Sequence, residues 1–592
     1  MKHTYIQEKI DKLCNHIHQL QKSAYRYSFI RLVLFICTCF LGYQGYHKQS
    51  ALYNLLAILC GFLFVWFVYL HRACKSKIVE IIALQQAYQD VNRRKNSEWK
   101  MFEDNGKEFL NEHNKQAYDL DIFGNASLFQ YLNCAKTPFG RTYLASLLSC
   151  KKQNINDIIQ RQEAVQECSE LKLFTMKMIS ISKLFSNNKK KRKQEKLEEV
   201  LQFLETNKQT YPLWFRILWY ILTFYTVVCL FSVLCFEMNI AYFLIGAVLS
   251  LSLSFLFVML NMQVLSPVAY SAQIMKEYQR FFTLIKNQEF QCNWMKDVQL
   301  QCKDALDAIT KLERILQCIQ ARNNFLLHIV LNACCLIDFH CVYALEKWKL
   351  SYGKDVRKWL QAVGKIEAIV SLTQISYAKD ITCYPTIWKE DNMHIAMQQM
   401  YHPLLLEENA ISNSFQAQTK TSIITGSNMS GKTTFLRNIG LNMVLFHAGA
   451  PICASNATLS SMHIYTSMRV HDNVDEGIST FYAEILRIKE MMDASRKQEE
   501  MLVLIDEIFK GTNSVDRILC ATQAIRKLHK SWIFTMISTH DFELCDLENE
   551  LDVKNYHFSE YYEESRICFD YLLKEGRCTT TNAQALMRMA GF

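Results

Sequence analysis

Glycine and proline are scarce, at 17 and 6 of 592 residues. So few helix breakers argue against a loop-rich chain and for long helices. Paired C-x-x-C spacing is missing too. The 22 Cys are scattered, several inside apolar runs, and lack the spacing a zinc site requires. They read as reduced residues, buried or lipid-facing, in a protein exposed to the cytosol. No cleavable signal peptide is visible, because about thirty residues rich in Lys, His and Gln precede the first apolar run. No internal repeat or low-complexity linker stands out.

What is present is apolar: half of the chain, over a length that suffices for several domains. Charge is unevenly spread. Residues 391–592 hold 18 Lys+Arg against 25 Asp+Glu, and the rest holds 48 against 32. The C-terminal end is therefore acidic and the other end basic. A basic balance suits DNA phosphates or anionic lipid, and the position of the charges separates the two.

Residues 1–27 read as a cytoplasmic amphipathic helix, with Ile6, Ile10, Leu13, Ile17 and Leu20 near helical spacing. Two apolar runs follow within 28–75. Leu32–Tyr46 is short for a span, while Ala51–Leu70 is twenty residues without a charge. Lys22, Arg26 and Arg31 precede this pair, and Arg72, Lys75 and Lys77 follow it. Residues 76–208 return to soluble helical character and contain the basic run Lys189–Lys193. A solvated loop is the plain reading of that run. Its place about twenty residues before an apolar span favours lipid headgroups over DNA. Within 209–265, Ile217–Phe236 and Ile240–Met262 form a second uncharged pair, flanked by Arg216 and Lys276. Two pairs with cationic flanks and nearly uncharged turns predict two transmembrane hairpins, with both chain termini in the cytoplasm. Residues 266–390 are soluble helices again. From 391 to 592 strands and helices alternate.

That last region carries the chemistry. Gly426-Ser-Asn-Met-Ser-Gly-Lys432-Thr433 fits G-x-x-x-x-G-K-[ST], the phosphate-loop pattern. Thr421–Thr425 before it reads as a buried strand, and Thr434–Leu445 after it as a helix. Strand, loop and helix N-terminus aim backbone N–H groups and a positive helix end at one point, where a triphosphate would sit. Gly426, Ser427, Asn428, Met429, Ser430, Gly431, Lys432, Thr433 and Thr434 are the expected ATP contacts. Lys432 would reach the β- and γ-phosphates, and Thr433 would hold Mg²⁺. Met501–Glu507 is an apolar strand ending in two carboxylates. Asp506 would bind Mg²⁺, and Glu507 would polarise the attacking water as general base. Trp532–Ile537 is another apolar strand, ending at Ser538-Thr-His540. His540 would contact the γ-phosphate. Ser479-Thr-Phe481 opens a helical run containing Glu484. Its plain reading is an N-cap, and its sharper one a signature loop touching the nucleotide of a second subunit.

These segments together resemble the MutS family of mismatch-repair ATPases, within the ABC ATPase superfamily. The family's T-G-P-N-M-[AG]-G-K-[ST] stands here as Thr425-Gly-Ser-Asn-Met-Ser-Gly-Lys-Thr433. Its D-E-[IL]-x-[RK]-G-T stands as Asp506-Glu-Ile-Phe-Lys-Gly-Thr512, and its [AS]-T-H-[YF]-x-E-L as Ser538-Thr-His-Asp-Phe-Glu-Leu544. An R-H-P stretch appears as Tyr401-His402-Pro403, without its Arg. Ile411-Ser-Asn413 resembles an adenine-contacting V-x-N, and Lys574-Glu-Gly576 with Ala590-Gly591 the close of the ATPase domain. Upstream, Ser127–Leu132, Thr137–Gly140, Arg161–Val165 and Ile366–Leu372 look like the family's helical core and lever, extending the resemblance to about residue 105. The resemblance implies an α/β ABC-type ATPase domain after an all-α core and lever, ATP and Mg²⁺ as ligands, and a homodimer whose composite sites use Ser479. It finds no mismatch-binding domain before residue 105 and no C-terminal dimerisation extension. Phe203-Leu-Glu205, an F-x-E like the family's mismatch reader, stands in the helical region as a chance match. The second hairpin stands where the family's levers form a DNA clamp.

The expectation is a membrane-anchored MutS-like ATPase of the cytoplasmic membrane, with its ATPase domain in the cytoplasm. It would couple ATP turnover to dimer and lever rearrangement on a membrane-linked partner or on DNA. The alternatives are a mismatched-DNA-binding ATPase and, less well matched by the motifs, an ABC-type transporter.

Overall fold

The structure, a computed structural model, describes residues 2–110, 114–186, 190–206, 212–236, 238–320, 325–390, 392–427, 429–469, 480–510, 513–563 and 566–578. Side chains are described in these stretches except at 2–4, 186, 190–196, 213, 215, 257–274, 320, 325–327, 480, 562–563 and 566–567. The chain divides into two compact units. One comprises Met1–Cys134, Thr142–Met176 and Ala368–Phe592, and the other Ala135–Arg141 and Lys177–Glu367.

Helices come first: α1 (Lys2–Lys48), α2 (Ala51–Lys95), α3 (Lys115–Asp119), α4 (Leu128–Leu132), α5 (Pro138–Leu147), α6 (Ile155–Glu170), α7 (Lys172–Ser186) and α8 (Lys190–Glu205). Then follow α9 (Leu213–Phe236), α10 (Ala241–Lys286), α11 (Asn293–Gln301), α12 (Ala305–Gln320), α13 (Phe325–Cys335), α14 (Ile337–Leu372) and α15 (Gln374–Ala378). The remainder alternates: β1 (Thr386–Ile387), β2 (Ile395–Met400), β3 (Asn413–Gln416), β4 (Thr421–Thr425), α16 (Lys432–Ala448), β5 (Asn456–Leu459), β6 (His463–Ser467), α17 (Thr480–Ser495), β7 (Met501–Asp506), α18 (Ser514–Leu528), β8 (Ile533–Thr539), β9 (Val553–Glu563) and β10 (Arg566–Glu575). The C-terminal region is thus mixed α/β and the N-terminal part helical.

Helices α1 and α2 form an antiparallel pair joined at Gln49 and Ser50, with Gln49 at φ +47°. Helix α1 runs unbroken from the polar N-terminal residues into the first apolar run, where the sequence suggested two segments. Helix α2 likewise continues 25 residues past Leu70. In the lower half, Ile6, Ile10, Ile17 and Ala24 are buried at helical spacing, as are Cys74, Ala83, Ala87 and Val91 on α2. Above Arg31 and His71, which lie 2.7 Å apart, the pair turns apolar on all sides. Phe40, Phe62 and Trp66 are exposed there, Phe62 by 72%. Residues 5–31 make a stalk of roughly 40 Å at 1.5 Å per residue.

Among the described residues three helices are long and apolar enough to cross a membrane, within Tyr5–Lys48, Ala51–Lys95 and Arg216–Phe236. Of the expected Ile240–Met262 run, Ala241–Leu256 is apolar helix, and the side chains from 257 lie outside the described ones. The second unit adds an apolar helix that the sequence reading passed over. Helix α13 packs on both α9 and α10. The hydroxyl of Thr226 on α9 donates to Cys334 O at 2.8 Å, and Gly246 on α10 packs against Thr226. Between α13 and α14 the chain bends by 81° at Leu336 (φ +49°). Buried Asp338 pins this bend, 3.0 Å from His328 and 3.2 Å from the Asn332 amide.

The same unit explains Thr137-Pro-Phe-Gly140. Thr137 accepts from Gly140 N at 3.1 Å and donates its hydroxyl to buried Glu367 of α14. Glu367 also accepts from Ser182 at 2.7 Å and from Lys136 N at 3.2 Å. Gly140 is small because α14 crosses closely. A Cβ on Gly364 would lie 2.7 Å from Gly140 N. Phe203 lies under the Lys349 ammonium, 4.2 Å from ring centre, and Glu205 pairs with Arg357 at 2.7 Å. Both ends of the F-x-E are therefore engaged within the unit.

In the first unit a six-stranded sheet has the order β10-β9-β4-β8-β7-β6. Its ladders are parallel except β10 on β9. A smaller sheet, β1-β5-β2-β3, lies beside it in the chain order. Strands β4, β7 and β8 are buried throughout, which is why they read as unbroken apolar or β-branched runs. Register places the site: Thr425 pairs with Thr539, and Asp506 with Ser538. The glycine loop, the carboxylates and His540 therefore leave the same sheet edge side by side.

Candidate functional site

The loop after β4 is built by its glycines. Gly426 has φ +146° and Gly431 φ +108°, conformations a side chain disfavours. A Cβ on Gly426 would also meet Phe558 O at 2.9 Å. Gly431 caps α16, so the first turn's free N–H groups, at Lys432, Thr433 and Thr434, open toward the loop. Met429 is exposed at φ +70°, and Asn428 lies outside the described residues. The Lys432 ammonium folds back onto Gly426 O and Ser427 O, each at 2.8 Å. Burial pulls its pKa down from the usual lysine range. Ser430 Oγ is buried without a hydrogen-bond partner. A glycine cradle, an orphaned hydroxyl, a half-desolvated cation and a helix N-terminus fit a phosphate chain. Ser427 donates instead to Glu560 of β9.

Across the loop, Thr433 Oγ1 donates to Asp506 Oδ2 at 2.8 Å, and Ser538 donates to Oδ1. Hydroxyl and carboxylate already face each other, the oxygen donor set that suits Mg²⁺. Glu507 follows at φ +53°, its N–H donating to Ser538 O at 3.0 Å. Its Oε1 lies 3.0 Å from His540 Nε2 and its Oε2 3.2 Å from Lys510 Nζ. His540 first, then Lys510, outweigh desolvation and hold this carboxyl at about 2. His540 Nε2 is also 3.3 Å from Lys432 Nζ. Lys432, Thr433, Asp506, Glu507 and His540 thus converge.

Beside the loop is a cavity of about 230 Å³ lined by His402, Asn413, Gly431, Thr434, Asn438 and Tyr571, among others. His402 Nδ1 accepts from Leu404 N at 3.3 Å, and burial lowers its pKa to about 3, so the ring is neutral. Asn413 lines the cavity but commits its amide to β10. Its Nδ2 donates to Tyr571 O at 2.9 Å and its Oδ1 accepts from Leu573 N at 2.7 Å. Its side chain thus ties the cavity wall to β10. Sequence reasoning missed Ser538, Lys510, Glu560 and Tyr571 as site residues. Ser538 and Lys510 were legible, one two residues before the expected His and the other three residues past the expected base. Glu560 and Tyr571 gave no local signal. Ser479 lies outside the described residues, as do Lys189 and the side chains of 190–193.

A buried, largely parallel sheet with a glycine loop and two carboxylates at its edge defines a mixed α/β domain. Residues 422–592 match the family model described as MutS domain V. Among curated proteins, the chain is 31% identical over 249 residues to the DNA mismatch repair protein MutS of Listeria innocua serovar 6a. It is 30% identical over 244 residues to that of Persephonella marina, and 28% over 243 to that of Natronomonas pharaonis. Each match covers 40% of this chain and 28% of the relative. This C-terminal region is thus similar to MutS domain V, and the chain spans 28% of the length of the curated relatives it matches. The helical segments that extended the resemblance to about residue 105 lie outside the family model.

Proposed function

We propose that this chain is a Mg²⁺-dependent ATPase of the ABC type, anchored in a membrane by its apolar helices and working as a homodimer. The observation that carries the reading is the convergence of Lys432, Thr433, Asp506, Glu507 and His540 at one sheet edge. Lys432 and the loop N–H groups would bind the β- and γ-phosphates, with Ser427–Thr434 along the chain of phosphates. Thr433 and Asp506 would hold Mg²⁺, which when bound neutralises phosphate charge. Glu507 orients the attacking water and accepts its proton as the terminal P–O bond breaks. A carboxylate held this low takes that proton late, which suits a loose transition state. His540 keeps Glu507 ionised and faces the γ-phosphate position. The cavity beside Thr434 would take the nucleoside. Ser479 would complete the site of the second subunit.

Membrane anchoring rests on the exposed apolar surface of α1, α2, α9 and α10 and on its cationic flanks. Such a surface is unusual in water, and by the positive-inside rule the flanks would leave both termini in the cytoplasm. ATP-driven rearrangement would then reach lipid-embedded helices. The relatives' names favour a second reading, binding of mismatched DNA. Purified protein in nanodiscs separates the two. ATPase activity that needs Lys432 and is indifferent to homoduplex and mismatched DNA at physiological salt supports the first. Tight mismatch-selective binding would replace it with the second.

A further inference from the structure

Beside the site, two Asp and three Arg of the first unit form a cluster with no part in the chemistry above, half-buried except for Asp119 at its centre, which is buried. Asp119, fully buried at the end of α3, accepts four hydrogen bonds. They come from Thr466 Oγ1 at 2.7 Å, Met468 N at 3.1 Å, Arg469 N at 3.1 Å and Arg487 Nη1 at 2.8 Å. Asp121, at φ +52°, takes the Arg469 guanidinium at 2.9 Å and Arg437 of α16 at 3.3 Å. Leu120 between them seats on α16, where a Cβ on Gly440 would come within 2.6 Å of it. Residues 119–121 therefore grip the helix behind the phosphate loop, the exit of β6 and α17 together.

We propose that Asp119 is a positioning residue that couples the base of the α1/α2 pair to the Glu507 loop. The inference rests on the ATPase reading and names a control of the same site. From Asp119 inward, Arg487 fixes α17. About one turn earlier on that helix, Glu484 accepts from Lys510 N at 3.1 Å, and Phe481 meets the Phe509 ring edge-on at 5.7 Å. Glu507 and Phe509 have φ of +53° and +63°. Such backbone persists only when its surroundings hold it; Ser538 O holds it at Glu507, and α17 holds it at Phe509 and Lys510.

From Asp119 outward, Asp121 O accepts from Leu128 N at 2.8 Å and Ile122 O from Phe129 N at 2.9 Å. That ties the cluster to α4. Buried Arg94, on the last turn of α2, donates to Tyr131 O at 2.6 Å. Trp99 packs edge-on against Tyr131 at 5.2 Å. The stalk base, α4, the acidic pair, α17 and the Glu507 loop thus form one unbroken series of contacts. A shift of the stalk base would be felt at Glu507, and a change at the loop would be returned to the stalk.

A double-mutant cycle on full-length protein in nanodiscs tests this, because Arg94 and Asp119 share no contact. Asp119→Asn is expected to lower kcat about tenfold while KM for ATP stays within about twofold. Loss of general packing would move both constants. Arg94→Lys is expected to lower kcat about threefold, and the double variant to be no slower than Asp119→Asn alone. Effects that multiply, or a normal kcat in Asp119→Asn, overturn the coupling. If Asp119→Asn does not fold, Arg487→Lys takes its place in the cycle with the same expectation. An inactive wild-type protein would instead defeat the ATPase reading itself.

Discussion

His540 Nε2 lies 3.0 Å from Glu507 Oε1, bridging two strand ends that are 33 residues apart in the chain. With Lys510 on the other oxygen, it outweighs the desolvation that pushes the Glu507 carboxyl up. The depressed value means that this carboxylate's contribution to stability is full above the ordinary carboxylate range. It is lost only as pH falls toward about 2.

Removing the imidazole should therefore show in the acid limb of the rate. In His540→Ala the Glu507 carboxyl rises back toward the usual carboxylate range, so kcat should begin to fall at higher pH than in the wild type. Paired pH–rate profiles between about pH 4 and 8 check the shift. Superimposable acid limbs would separate His540 from the ionisation of Glu507.

Binding and hydrolysis should come apart by residue. Lys432→Ala removes the ammonium that the loop holds at 2.8 Å and should abolish ATP binding in a filter or fluorescence assay. Glu507→Gln keeps the phosphate cradle and loses the base. It should bind ATP and hydrolyse it at least about a hundredfold more slowly. Ordinary turnover in that variant would remove Glu507 from the mechanism.

Gly364→Ala tests the helix crossing in the second unit. The added methyl meets backbone, Gly140 N and the Phe139 carbonyl carbon, both at 2.7 Å. Backbone cannot swing aside, so overpacking should cost about 1–3 kcal/mol in chemical denaturation. Unchanged stability would show that the two helices part easily.

The membrane reading makes a labelling prediction. Cys14 and Cys39 are both exposed on α1, the first in its polar half and the second in its apolar half. In nanodiscs a charged maleimide should modify Cys14 readily and Cys39 at least about tenfold more slowly, since hydrocarbon excludes the reagent. Equal rates would leave α1 in water.

Much of the candidate site was legible because its chemistry lies in three contiguous stretches, each at the end of a buried strand. Gly426–Thr433, Asp506–Glu507 and Ser538–His540 announce themselves by type and spacing. The partners that come from β9 and β10 do not, because Glu560 and Tyr571 are placed by a hairpin pairing rather than by a local pattern. Asn413 was found by motif, but its amide serves β10, which only the register reveals. The unbroken α1 was hidden for a different reason. Composition changes near residue 28, whereas backbone hydrogen bonding does not, and a helix ends only where capping or a breaker ends it. Helix α13 was missed because a helix of 11 residues is too short to span, so no length criterion selects it.

The stalk formed by the lower halves of α1 and α2 turns rotation into travel. Over the roughly 40 Å of residues 5–31, a tilt of about 10° at the base moves the upper end by about 7 Å. Rearrangements of an ångström or two beside Arg94 would arrive at the apolar end magnified severalfold. Under the proposed reading, ATP-driven motion at the stalk base would thereby reach the bilayer at the other end of the stalk.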